Sequence, residues 1–231
     1  MDSFLCDGTG GSRADSRRDV PYNEPVGERR DDVEEEALER LRRSDLAGAA
    51  TAIVRGYGAE IYGFLVARMR DETAATDAFS MFTEDLWRGL PGFEGRASVR
   101  VWAYTLARHA AIRQQAAPHR RRDRNVSLSE VDALSRLAER ARTETAPWLR
   151  TELKSRLARL RDQLSDDDRT LLILRVDRGL EWADVARVFF PELAEKASGE
   201  LKNEAARLRK RFQEVKARIR RLAKDAGLVE P

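Results

Sequence analysis

Cysteine and histidine are almost missing from this sequence. Cys6 is the single cysteine, and His109 and His119 are the only histidines. No intrachain disulfide can form, and no metal site can be built on cysteines or on a histidine cluster. No Gly-x-x-x-x-Gly-Lys-Ser/Thr, Gly-x-Gly-x-x-Gly, His-Glu-x-x-His or Gly-x-Ser-x-Gly stretch occurs. The nucleotide-cradling, zinc-hydrolase and serine-hydrolase classes lose their signatures with them. Neither catalysis nor a cofactor or metal is therefore expected. Long apolar runs are missing too: the stretch around Ile61 to Ala67 is far too short to cross a bilayer, so no membrane insertion is expected. Phe4-Leu5-Cys6 is too short for a signal-peptide core and follows the acidic Asp2. The expected location is the cytoplasm. Alternating strand patterns are lacking as well, which leaves an all-α class.

What the chain does have is charge, 36% of its residues, unevenly spread. Residues 1–45 carry 8 basic and 13 acidic groups, whereas residues 148–231 carry 20 and 15. A basic excess gathered in one part of a chain is the expected footprint of phosphate contact.

Residues 1–32 are rich in Gly, Ser, Asp, Arg and Pro and are expected to be a disordered extension. A short charged helix is predicted from Val33 to Arg43, with Glu36 and Arg40 as an i,i+4 pair. Ser44-Asp45 breaks it and caps a helix carrying Leu46, Ala50, Ile53, Val54, Tyr57, Ile61, Phe64, Leu65 and Met69 toward a core. Gly56, Gly58 and Gly63 argue against its continuity. Ala74 to Leu90 forms the next helix, with Ala78, Met81, Phe82, Leu86 and Leu90 as its stripe, and Pro91-Gly92 stops it. Ser98 caps a helix from Val99 to about Ala117, on which Val101, Trp102, Thr105, Leu106, His109 and Ile112 fall near one side. A polar segment, 118–147, follows and is expected to be a flexible linker. Helices resume with Leu149, Leu153, Leu157, Leu160 and Leu164. Ser165 then caps a helix whose first turn holds Asp166, Asp167 and Asp168, favoured there by the helix dipole. These aspartates point about 100° apart, which suits a cap better than a metal cluster.

The segment from Gly179 to Asp225 reads as a short helix, a turn and a long basic helix. Leu201, Ala205, Leu208, Phe212, Val215, Ile219 and Leu222 recur at alternating spacings of 4 and 3, one helical face. Between Gly199 and Lys224, ten Lys/Arg stand against three Glu. A helix-turn-helix enters a major groove with such a helix; a solvated surface face is the plain alternative. A second constellation interleaves Phe93, Trp102 and Tyr104 with Arg96, Arg100, Arg108, Arg113 and the Arg120–Arg124 cluster. Rings that stack on unpaired bases beside phosphate-binding arginines suit single-stranded DNA, while Trp102 and Tyr104 could equally be core. The architecture expected is two small helical domains, 33–117 and 148–231, joined by the linker.

From about Leu41 to Leu222 the order of these stretches resembles the extracytoplasmic-function group of bacterial RNA polymerase sigma factors. Phe93-Glu94-Gly95-Arg96-Ala97-Ser98 with Trp102-Ala103-Tyr104-Thr105-Leu106-Ala107-Arg108 is the strongest match. Ser44 to Tyr62, Asp77 to Trp87, Leu164 to Gly179, Trp182 to Ala186 and Gly199 to Arg211 follow in the family's order. The resemblance implies an alternative sigma factor that binds core RNA polymerase and promoter DNA. Asp77, Phe82 and Trp87 would lie on the polymerase-docking helix. Arg96, Arg100, Trp102, Arg108 and Arg113 would open and hold the −10 element. Lys202, Asn203 and Arg207 would face bases or phosphates of the −35 element, with Arg209, Lys210 and Arg211 mainly on phosphates. The linker would thread toward the polymerase active-site channel. Such factors often answer to an inhibitory anti-sigma factor. The sequence departs from the group's pattern at Ser80, Met81 and Thr83, at His109, at Glu204, and in a longer turn from Val188 to Gly199 that includes Pro191. A stand-alone helix-turn-helix regulator on operator DNA is the rival reading. A protein-interaction module using acidic residues 24–45 is a third.

Overall fold

The computed structural model describes residues 26–116, 159–194 and 198–227, and every regular element among them is helical. The linker expected at 118–147, its Arg120–Arg124 cluster and the leucines from Leu149 to Leu157 lie outside the described residues. So does most of the extension expected over residues 1–32.

Helix α1, Val26–Arg42, starts seven residues ahead of Val33, so the part of that extension from Val26 onward is helical rather than disordered. Glu36 and Arg40 pair as expected, with Arg40 Nη2 3.0 Å from Glu36 Oε1. Ser44 turns the chain at φ 59°, and Asp45 caps α2 by accepting from the Gly48 amide at 2.8 Å. Helix α2, Leu46–Met69, is continuous despite its glycines. A Cβ on Gly56 would sit 2.5 Å from the methyls of Val33, so its bare backbone is what lets α1 cross closely. Asp71 caps α3, Glu72–Gly89, and Pro91 ends it in a short 3-10 turn.

Helix α4, Val99–Ala116, starts at Ser98, whose hydroxyl accepts from the Val101 amide at 3.2 Å. Its buried residues include four alanines, Ala103, Ala107, Ala110 and Ala111, with Val99, Val101, Tyr104, Thr105 and Gln114. The side expected from its large apolar residues is therefore not the main packing face, and Ile112 is 39% exposed. Alanines bring α4 close to α2 and α3, while the bulk comes from Ile53, Phe64, Phe79, Phe82 and Leu86, all fully buried. Phe64 meets Tyr104 edge-on at 5.3 Å.

Ser165 caps α5, Asp166–Leu172, accepting from the Asp168 amide at 3.2 Å. The helix widens into a π turn over Ile173–Asp177. Gly179, at φ 66°, then makes a turn that favours glycine. Helix α6, Trp182–Phe189, leads through a 3-10 turn, Pro191–Ala194, to the 28-residue α7, Ser198–Asp225. The periodic face of α7 packs as expected. Leu208, Phe212 and Val215 are buried, and Leu201, Ala205 and Ile219 lie against the same core.

The N-terminal and C-terminal groups of helices share one core. Arg68, 2% exposed, donates through Nε to the Thr170 hydroxyl at 3.1 Å and through Nη1 to Gln115 Oε1 at 3.0 Å. Arg169, 1% exposed, returns a bond from Nη1 to the Arg68 carbonyl at 2.6 Å. Burial lowers the pKa of both guanidinium groups, but each remains a cation whose donors meet backbone or side-chain oxygens.

Candidate nucleic-acid and polymerase interface

The residues expected to dock on polymerase share α3 but not one surface. Phe82 is fully buried, its ring 5.5 Å from that of Phe79, so it holds α3 in place and does not face a partner. Asp77 is half-buried and accepts from Gln114 at 3.3 Å. Trp87 is half-buried at the edge of the core. On the outer side of α3, Ser80 donates to the Thr76 carbonyl at 3.1 Å and Thr83 to the Ser80 carbonyl at 2.9 Å. These hydroxyls are bonded within their own helix.

Part of the second constellation comes together around α4 and the loop before it: Phe93, Trp102 and Arg96 meet there, whereas Tyr104 is fully buried in the core. Phe93 and Trp102 meet with ring centroids 4.9 Å apart and planes tilted by 46°. A Cβ on Gly89 would lie 2.9 Å from the Trp102 ring, so glycine makes room for the indole. Gly92, Phe93, Glu94, Arg96, Ala97 and Trp102 line a cleft of about 340 Å³. Its far wall is Arg187 and Pro191, from the C-terminal half. Arg96 is exposed at the rim and bonds Glu94 through Nε at 2.8 Å.

The arginines of α4 are engaged within the chain. Arg100 and Glu60 form an ion pair with both side chains 14% exposed. Arg100 also donates to the Arg178 carbonyl at 2.9 Å. Burial favours the neutral form of Glu60, but Arg100 and the Tyr104 hydroxyl, 2.6 Å away, outweigh it and lower its pKa. Burial and the Glu60 charge push the Tyr104 phenol well above its usual pKa. Arg108 reaches Asp167 at 3.1 Å and lies 4.6 Å over the ring of Phe189. Arg113 pairs with Asp85 near the surface. His109, half-buried beside Arg108 and Arg113, has its pKa lowered by burial first and by those cations second.

Helix α7 presents the opposite picture. Lys202, Asn203, Arg207, Arg209 and Lys210 are all exposed, outside its buried stripe. Arg209 and Arg175 lie 5.6 and 5.1 Å from the ring of Trp182, which meets Phe212 edge-on at 5.5 Å. That aromatic pair seats α6 against the middle of α7. Arg211 is half-buried and donates to Asp168 at 2.6 Å. Glu204 pairs with Arg207, with the glutamate 20% and the arginine 77% exposed.

The sequence reading missed the carboxylates that engage the arginines, Glu60, Asp167 and Asp168. Their partners lie 40, 59 and 43 residues away, and no local spacing marks a contact at that distance.

An all-α body with an aromatic cleft and, among the described residues, an exposed basic helix belongs among helical proteins that can bind nucleic acid. Residues 53–125 match the family described as Sigma-70 region 2. The chain is 30% identical over 138 residues to "RNA polymerase sigma factor YlaC" of Bacillus subtilis (strain 168), covering 59% of this chain and 76% of that one. It is 28% identical over 159 residues to "RNA polymerase sigma-H factor" of Pseudomonas aeruginosa, covering 67% and 81%. The chain belongs to the bacterial RNA polymerase sigma factors, as its resemblance to their extracytoplasmic-function group implied.

Proposed function

We propose that this chain binds core RNA polymerase in the cytoplasm and directs initiation at particular promoters, gripping the −35 duplex and helping to melt the −10 element. It carries no reaction of its own. The observation that carries this reading is the row of exposed Lys202, Asn203, Arg207, Arg209 and Lys210 on α7, in a chain of the sigma factor family. A helix that buries one face and offers donors along the other is suited to a major groove. The Phe93–Trp102 cleft with Arg96 at its rim is suited to unstacked bases. The outer side of α3, around Asp77 and Trp87, is the polymerase-docking surface in this proposal.

In vitro transcription with core polymerase over a pool of promoter fragments tests it. Transcripts from a subset of promoters, dependent on this chain, are expected. No chain-dependent transcript, together with a dimer that binds duplex tightly alone, would replace it with the stand-alone regulator.

A further inference from the structure

We propose that Glu34 is a positioning residue for promoter opening: from α1 it closes the first turn of α4 and so sets the frame of the Phe93–Trp102 cleft. The inference rests on the sigma-factor reading above and extends it to a helix that reading leaves without a part. A helix start leaves its first amides without partners inside the helix, and the helix dipole favours a carboxylate there. At the start of α4 the acceptors come from two places. The Ser98 hydroxyl takes the Val101 amide at 3.2 Å. The Glu34 carboxylate takes the Val99 amide at 2.6 Å through Oε1 and the Arg100 amide at 3.4 Å through Oε2. Ser98 is the local cap; Glu34 stands 65 residues before the first amide it accepts.

Glu34 reaches α4 because α1 lies close on α2. Val33 packs where Gly56 has no Cβ, and Glu36 pairs with Arg55 of α2 at 2.6 Å. The Tyr57 hydroxyl, on a residue 2% exposed, donates to Glu34 Oε2 at 3.4 Å. Burial first and the Glu34 charge second raise the pKa of that phenol, so it stays a donor. The carboxylate is thus held from α2 on one side and holds α4 on the other. The loop 93–97 runs directly into Ser98, and Trp102 follows one turn into α4. Fraying of that first turn would shift Phe93 and Arg96 against Trp102. Helix α7 takes no part in these bonds.

Hydrogen exchange and promoter opening, measured on the same variants of the full chain, test the proposal. In Glu34→Ala the amides of 99–101 should exchange about tenfold faster, with those of 205–215 unchanged. Holoenzyme carrying this variant should form the initial complex on a promoter selected with the parent chain as well as the parent does. Permanganate-reactive thymines in the −10 element should nevertheless fall about tenfold. A merely structural role would lower both steps together, through a smaller folded fraction. Glu34→Gln keeps one acceptor oxygen without the charge and should lie between parent and Glu34→Ala in both readings. Glu35→Gln, exposed on the same helix, should match the parent. Unchanged exchange at 99–101, or opening lost in step with initial binding, would overturn the proposal. If Glu34→Ala does not fold, Glu34→Gln decides by the same two readings. If the parent opens no promoter, the sigma-factor reading fails and the role in opening with it, whereas faster exchange at 99–101 would still show that Glu34 holds α4.

Discussion

Helices α4 and α7 are both basic and both given DNA contacts in the proposed function, but Arg100 and Arg108 of the first and Lys202 and Lys210 of the second are in opposite states. On α4 the side chains of Arg100 and Arg108 are 14% and 12% exposed and paired with Glu60 and Asp167. On α7 Lys202, Asn203, Arg209 and Lys210 face solvent, and Arg207 is 77% exposed. The difference follows from position. Helix α4 lies between α2 and α3 on one side and α6 on the other, so its cations must be neutralised by fixed carboxylates. Helix α7 covers the outside of α5 and α6, and water can solvate its charges. A basic helix in the sequence is thus two different objects, and only burial separates them.

The comparison breaks most sharply at Arg100. Removing one partner of a nearly buried ion pair leaves the other charge uncompensated, at a cost of about 3–5 kcal/mol. Arg100→Ala should lower the unfolding free energy by about that much in urea titrations followed by circular dichroism, again about 3–5 kcal/mol. A loss under about 1 kcal/mol, the range of exposed pairs, would mean that Arg100 is as well solvated as the exposed lysines of α7.

The same pair has a pH signature. The pKa of Glu60 is held below its ordinary 4.5 in the folded chain, so its ionised form contributes stability above about that pH. That contribution is lost as pH falls from 4.5 through the lower folded value. The stability of the parent chain should therefore fall more steeply below pH 4.5 than that of Glu60→Gln. Parallel curves would show that Glu60 is not ionised in the pair.

Much of this fold could be read from the sequence where periodicity and caps agree. Ser98 and Ser165 start the helices they were expected to start, and the apolar stripe of α7 is buried where its spacing put it. The packing face of α4 could not be read, because alanines carry it and a period drawn through Trp102, His109 and Ile112 follows the larger side chains. The start of α1 was hidden because its first residues are polar and carry no stripe. The aromatic cleft was legible as Phe93 with Trp102. Its far wall was not, since Arg187 and Pro191 reach it only through the packing of the two halves.

Arg113 sharpens the comparison from within α4. It shares the helix with Arg100, yet its side chain is 47% exposed where it pairs with Asp85. Solvent screens such pairs, so Arg113→Ala should cost only about 0.2–1 kcal/mol of stability. If unfolding titrations gave the same loss as for Arg100, membership of α4 rather than burial would set the energetics.

The smallest effect on stability should come from α7, and it should be the most informative about DNA. Lys202 and Lys210 are exposed, and single surface substitutions away from caps and cores usually shift stability by about 0.5 kcal/mol or less. If each meets a phosphate in the promoter complex, its removal should lower the slope of log affinity against log salt by about 0.9. Lys202→Ala and Lys210→Ala should therefore unfold like the parent while holoenzyme binding to a selected promoter becomes less salt-sensitive. An unchanged slope with unchanged affinity would place these cations off the DNA. The exposed face of α7 would then be solvated charge, and the contrast between the two helices would concern folding alone.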